Sequence, residues 1–401
     1  MQLNAHFTLV AACLVLLLGA LLVKKINFLK KYHIPEPVAG GFLVAIVLLA
    51  VYQAWGLEFN FDKALQDSLM LAFFASIGLS ADFSRLVKGG KPIIIFVAVA
   101  SALIFVQNSV GMGLALALDQ NPFYGLIAGS ITLSGGHGSG AAWGALLSEK
   151  YGVTGAVELA MACATFGLVL GGTIGGPVAR RLLKKIDRAP QAEIEDEEVE
   201  VAFERPRQGR SINASAIIET VTMLAICLSV GTYLDSITKD TALQLPTFVW
   251  CLFTGVIIRN LLTHVVRHNV FDRAVDVLGS VSLSLFLAIA LMSLKLWQLA
   301  ELAVPVLIIL SIQTLVMALF AYFITFKVMG KDYDAVVLSA GHCGFGLGAT
   351  PTAIANMQVI TQAFGPSHKA FLIVPMVGAF FIDIVNTAMI KLFIEIGGNF
   401  L

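Results

Sequence analysis

Residues 134–140 read SGGHGSG, and residues 339–346 read SAGHCGFG. Each stretch sits inside a long apolar segment, where glycine and polar side chains are costly. The two serines, Ser134 and Ser339, stand 205 residues apart, and so do Gly136 and Gly341 at the start of each Gly-His pair. One unusual element therefore recurs in each half of a 401-residue chain. Irregular, polar-lined backbone at membrane depth survives only where protein or a water-filled cavity surrounds it. Two such segments in corresponding halves point to the binding site of a transporter.

The surrounding composition names the solvent. Apolar residues make up 58% of the chain and charged residues 13%, with a mean hydropathy of +0.86. A soluble domain carries about 25% charged residues, so lipid is the expected medium and the chain reads as an all-α polytopic membrane protein. Acidic and basic residues balance at 26 each, and net charge gives no sign of a nucleic-acid partner. The cysteines Cys13, Cys163, Cys227, Cys251 and Cys343 show neither pairing nor metal-ligand spacing and read as small buried residues. The run Phe7 to Val23, followed by Lys24 and Lys25, reads as a retained first span rather than a removed leader.

Apolar runs long enough to cross a bilayer fall at 5–23, 36–54, 68–86, 92–118 and 155–181, then at 213–235, 245–263, 276–297, 303–326 and 368–395. Two segments remain, 122–146 and 334–358, and both are too rich in glycine, serine and threonine for lipid-facing helices. They read as re-entrant hairpins. With the N-terminus outside, 21 of the 26 basic residues fall on cytoplasmic connections, including Arg85, Lys88, Arg180, Arg181, Arg259 and Lys327. That bias supports ten spans with both termini outside. A repeat of five spans must invert, which gives two inverted repeats, 1–182 and 212–401, each with a glycine-rich hairpin. The segment 183–211 carries the acidic cluster Glu193 to Glu200 between arginines and reads as a solvated cytoplasmic linker.

Few polar residues lie within the spans, and each is a functional candidate by default. Asp383 and Asn386 share a helix face at i, i+3. The carboxylate suits Na⁺, a proton or a substrate ammonium group, or else a structural hydrogen bond. Asn108, which follows Gln107 mid-way along the fourth span, and Gln313 in the ninth suit cation or substrate coordination, or a tie between helices. Asp383, Asn386, Asn108 and Gln313 form the candidate ion set. In the first hairpin Thr132, Ser134, His137 and Ser139 add polar groups among Gly135, Gly136 and Gly138. In the second, Gly341, His342, Gly344, Gly346, Thr350, Thr352 and Asn356 offer the same chemistry, and Pro351 is expected to break a helix. These form the candidate substrate set. Glycine lets backbone approach a ligand closely, and half-helix termini attract carboxylate or Na⁺. His137 and His342 suit either proton transfer or a neutral role, bonded to backbone in a turn. Arg259, near a span end, reads as snorkelling.

The blocks LSGGHGSGAAW (133–143), ACATFGLVLGG (162–172), GHCGFGLGATPTAIANM (341–357), IPEPVAGG (34–41) and PMVGAFFIDIVN (375–386) resemble those of bacterial sodium/glutamate symporters. The resemblance runs over almost the whole chain. It implies a multi-pass inner-membrane transporter, not an enzyme, that takes up L-glutamate with Na⁺ as coupling ion and no other cofactor. It also implies a homodimer with a scaffold and a moving, elevator-type transport domain. Without direct support from a motif, spans 3–5 and 8–10 with the hairpins are expected to move against spans 1, 2, 6 and 7. The motifs 134–138 and 341–346 would line the translocation site. A Na⁺-coupled dicarboxylate or 2-hydroxycarboxylate symporter is the nearest alternative. An ion channel and an intramembrane hydrolase built on His137 and Ser139 are more distant ones.

Overall fold

The computed structural model describes residues 2–31, 34–186, 212–238, 245–268, 270–294 and 302–398, apart from the side chains of 31, 84–89, 379 and 380. The expected linker lies almost wholly outside these residues. Among them there is no strand, only an isolated bridge between Gln2 and Asn60. In chain order the helices are α1 Ala5–Lys25, α2 Asn27–Lys31, α3 Glu36–Trp55, α4 Lys63–Ser80, α5 Phe83–Ala117, α6 Pro122–Leu126, α7 Gly136–Tyr151, α8 Ala156–Lys185, α9 Ala214–Thr238, α10 Thr247–Leu261, α11 Asp272–Met292, α12 Ala303–Phe320, α13 Phe326–Val328, α14 Tyr333–Leu347, α15 Thr350–Phe364, α16 His368–Met376 and α17 Ile382–Gly398. Wide π-helical turns continue α6 (Ile127–Ile131), α10 (Leu262–Val266), α12 (Ala321–Thr325) and α16 (Val377–Phe381).

Local chemistry sets several boundaries. Asn4, Asp62 and Asp332 each cap a helix by accepting from a first-turn amide. Asn121 does the same for Phe123, with Pro122 in the first turn. Gly56 and Gly152 close their helices in the left-handed conformation. Gly90, at φ +67°, breaks α5 two residues before Pro92, so the membrane-length run begins there.

Eight helices among the described residues are long and apolar enough to cross a membrane. The two other expected spans are helical but fall short. α4 opens on Lys63 and carries Asp67, which lowers its apolarity. The last span is divided by its π-helical turn into α16 and α17. Large side chains such as Phe7, Leu14, Leu17 and Leu21 remain exposed along α1, as lipid-facing positions do.

Helix starts recur through the chain. Ala5 matches Ala214, Glu36 matches Thr247, Lys63 matches Asp272, Gly90 matches Ala303, Pro122 matches Tyr333, Gly136 matches Thr350 and Ala156 matches His368, each pair 209 to 214 residues apart. The 205-residue register of the two Gly-His motifs is therefore not the register of the helices. His137 lies just after its turn, in α7, and His342 just before its own, in α14.

The chain forms two compact units, each drawing on both halves: Met1–Val87 with Gly209–Leu296, and Lys88–Gln208 with Trp297–Leu401. In the first unit small residues let helices meet backbone to backbone, the usual device of helix packing in lipid. A Cβ on Gly40 would stand 2.2 Å from the Val15 carbonyl oxygen, and one on Gly78 would stand 2.1 Å from that of Leu252. The expected third and eighth spans, α4 and α11, pack in this unit with α1, α3, α9 and α10. Their expected grouping with the hairpins is thus corrected. Arg259 is also corrected: it does not snorkel but is 3% exposed and pairs with Asp82 at 3.3 Å and with Asp272.

In the second unit α6 and its π-helical turn lie between α5 and α17. Gly111 and Gly125 touch through their backbones at one end, and Asn386 reaches Ser130 at the other. α14 and α15 form a tight antiparallel pair, with Gly344 against Ala353 and Gly341 against Met357. Gly167, Gly171 and Gly175 of α8 abut Leu347, Gly344 and Asn356 in turn. Side chains at i, i+4 and i+8 on one helix share a face, so this glycine row seats the α14–α15 pair on α8.

Candidate functional site

The chain reverses at residues 132–135, between α6 with its extension and α7, and again at residues 348–349, between α14 and α15. These two tips meet. A Cβ on Gly136, which sits at φ +66°, would lie 3.8 Å from the carbonyl oxygen of Gly348. A side chain there would meet both backbone strain and the opposite tip.

Gln107, fully buried on α5, ties the two tips together. Its Nε2 donates to the Gly346 carbonyl at 2.7 Å, and its Oε1 accepts from the Ser134 hydroxyl at 2.7 Å. Gln313 Nε2 donates to the Gln107 carbonyl at 2.6 Å. One residue along, Asn108 Oδ1 accepts from the Ser130 amide at 2.9 Å, beside the non-helical Gly129. Asn386 Nδ2 donates to the Ser130 carbonyl at 3.0 Å. Four buried polar atoms in this network find no hydrogen-bond partner among the described residues: Asn108 Nδ2, Ser130 Oγ, Gln313 Oε1 and Asn386 Oδ1. Leaving a buried polar atom unpaired is costly, so a group of four marks a place built for something else.

Of the candidate ion set, the structure brings Asn108, Gln313 and Asn386 into this one network. Asp383, one turn before Asn386 in α17, is only partly buried and has no hydrogen-bond or ion-pair partner among the described residues. No cluster of three or more His, Cys, Asp or Glu side chains that could hold a metal occurs among those residues.

The candidate substrate set divides. Ser134, Gly135, Gly136, Gly346 and Thr350 sit at the tips. Thr350 Oγ1 lies 2.8 Å from a Cβ built on Gly378, in the π-helical turn before α17. Thr352 is 1% exposed in the first turn of α15, and its hydroxyl is unpartnered. Gly138 and Ser139 are buried in the first turn of α7. Thr132 donates to the Ile127 carbonyl at 2.6 Å. Asn356 lies deeper along α15 and donates to the carbonyls of Gly171 and Ala340. Gly341 and Gly344 serve the contact between α14 and α15.

The histidines sit in helices rather than turns, and their partners are threonines rather than backbone. His137 Nε2 lies 3.0 Å from Thr165 Oγ1, and His342 Nδ1 lies 2.9 Å from Thr325 Oγ1. His342 is fully buried among Phe96, Phe320 and Phe345. Pro351 occupies the first turn of α15, directly after the break between α14 and α15, where its missing N–H costs nothing.

Comparison with known proteins shows the family. A family model described as sodium/glutamate symporter matches residues 1–366. The chain belongs to the sodium/glutamate symporter family. The sodium/glutamate symporter of Haemophilus influenzae is 62% identical over 389 residues, covering 97% of this chain and 96% of that protein. Those of Escherichia coli and Shigella flexneri are each 60% identical over 393 residues, covering 98% of both chains.

Four residues of this family member acquire a place that sequence reasoning did not give them. Gln107 stood out as a mid-span amide, but nothing in one sequence says that it bridges two tips. Ser130 looks like one more hydroxyl in an apolar run until the break at Gly129 turns it into a hub. Thr165 and Thr325 are ordinary helix threonines until the histidines reach them. The break at Gly129 was the one signal available, since glycine inside a helical pattern marks a weak point.

Proposed function

We propose that this sodium/glutamate symporter family member is a secondary transporter, not an enzyme, that takes up L-glutamate with Na⁺ by alternating access. The observation that carries the reading is the meeting of two half-helix tips, tied by Gln107, inside an apolar helical unit. The names of the relatives supply the substrate and the ion. Glutamate carries a net charge of −1 and must leave water to enter the site. Na⁺ bound beside the tips lowers that cost, and the filled site crosses as one body. An empty or half-filled site leaves desolvated polar groups unpaired and stays behind.

In this reading α6–α7 and α14–α15 are re-entrant hairpins. The recurrence of helix starts is an inverted repeat, and α4 and the α16–α17 pair complete ten spans. Lysine and arginine placement puts both termini on the periplasmic side of a bacterial inner membrane. The homodimer and the elevator movement rest on the resemblance of the sequence blocks alone. The tip residues Ser134, Gly135, Gly136, Gly346, Thr350 and Thr352 meet the substrate. The amides Asn108, Gln313 and Asn386, which the structure joins in one network, serve the ion.

A competition panel tests the substrate. Unlabelled L-glutamate should block uptake of labelled L-glutamate into proteoliposomes, while citrate, malate and succinate should not. Block by the dicarboxylates or the 2-hydroxycarboxylates at lower concentration than L-glutamate would transfer the assignment to the related class of symporter.

A further inference from the structure

Ser130 is held from both sides by side chains that use only one end of their amide. Asn108 accepts from its N–H, so the free end of Asn108 is a donor, Nδ2. Asn386 donates to its carbonyl, so the free end of Asn386 is an acceptor, Oδ1. The Ser130 carbonyl also accepts from the Gly135 amide at 3.0 Å, which joins this point to the first tip. The Ser130 hydroxyl is itself fully buried and unpartnered. Gln313, anchored through Nε2 on the carbonyl next to Asn108, contributes a third free acceptor, Oε1. All four residues are 2% exposed or less.

From this we propose that Ser130 Oγ, Asn386 Oδ1 and Gln313 Oε1 ligate the coupling Na⁺ at the broken turn around Gly129. In this assignment Asn108 is a positioning residue rather than a ligand, and Asp383 lies outside the shell. The inference rests on the Na⁺-coupled reading above and specifies its ion site. The chemistry fits a monovalent ion. Three neutral oxygens attract a hard cation without adding charge, so Na⁺ at +1 and glutamate at −1 leave the filled site neutral. Main-chain carbonyls of the broken turn and water complete the shell. The Gly135 link carries the effect of ion binding to the 132–135 tip, so that Na⁺ orders the surface that meets glutamate.

The test uses purified full-length protein in detergent, without glutamate, with thermal unfolding followed as NaCl replaces choline chloride. Wild type should gain thermal stability along a saturable Na⁺ curve that KCl does not reproduce. Ser130→Ala and Asn386→Ala should each move the midpoint of that curve by about tenfold or more, whereas Asp383→Asn leaves it in place. Ser130→Cys, which keeps the volume and weakens the ligand, serves if alanine unfolds the turn. Asn108→Ala should also raise the midpoint, and Asn108→Asp, which keeps the acceptor for the Ser130 amide, should restore it. Wild-type curves in the Ser130 and Asn386 variants, or a shift confined to Asp383→Asn, would overturn the assignment and leave water on these oxygens. A wild type that ignores Na⁺ both here and in uptake would instead defeat the Na⁺-coupled reading itself.

Discussion

Gln107 makes two hydrogen bonds with one side chain, one to each tip, of which that to Gly346 is buried. Replacing it with leucine keeps the volume but orphans the buried Gly346 carbonyl, at about 1–3 kcal/mol, and releases the half-buried Ser134 hydroxyl. Glutamate uptake per folded protein should fall by about tenfold or more while the helical circular-dichroism signal is unchanged; uptake at the wild-type rate would remove Gln107 from the site. Arg259 calls for a different measurement, because it belongs to the other unit. Its pairing with the buried Asp82 means that Arg259→Met takes the guanidinium away from a buried carboxylate, at up to about 3–5 kcal/mol. The variant should melt well below wild type, and adding Asp82→Asn should recover part of the loss. Sequence position suggested snorkelling for this arginine. Its two carboxylate partners are remote in the chain or beyond a turn, and a single sequence does not reveal such pairs.

The half-helices depend on glycines that touch backbone. A Cβ on Gly125 would stand 2.0 Å from the Gly111 carbonyl oxygen, while one on Gly113, in the same helix as Gly111, would meet nothing within 4 Å. Gly125→Val should therefore abolish folded protein, measured as the monodisperse peak in size-exclusion chromatography. Gly113→Ala should fold normally and gain up to about 1 kcal/mol. Equal behaviour of the two variants would refute the packing of α6 on α5. The long helices were legible in the sequence because apolar length is a strong signal, and both interrupted segments were recognised from glycine and serine content. Their internal geometry was not. The Gly-His motifs look alike, yet one follows its turn and the other precedes it, since a glycine-rich string marks close packing as readily as a bend. The network at Ser130 was half legible. Asn108, Gln313 and Asn386 stood out as costly amides, but only the fold brings α5 and α17 to the backbone of Ser130 and α12 to the carbonyl of Gln107.

Each compact unit takes helices from both halves of the chain, so neither half folds into a unit by itself. The proposed topology puts the segment 183–211 on the cytoplasmic side, an expectation from its basic residues that labelling can check. In a background without the five native cysteines, Glu195→Cys should react with a membrane-impermeant thiol reagent in inside-out vesicles and not in intact spheroplasts. The reverse pattern would invert the whole arrangement. The reading of the molecule as a coupled transporter stands or falls on flux. Purified protein in liposomes should accumulate labelled L-glutamate under an inward Na⁺ gradient, and should not do so under a K⁺ gradient or a pH gradient of the same size. Accumulation driven by the pH gradient alone, or none under Na⁺ from protein shown to be folded, would contradict the account.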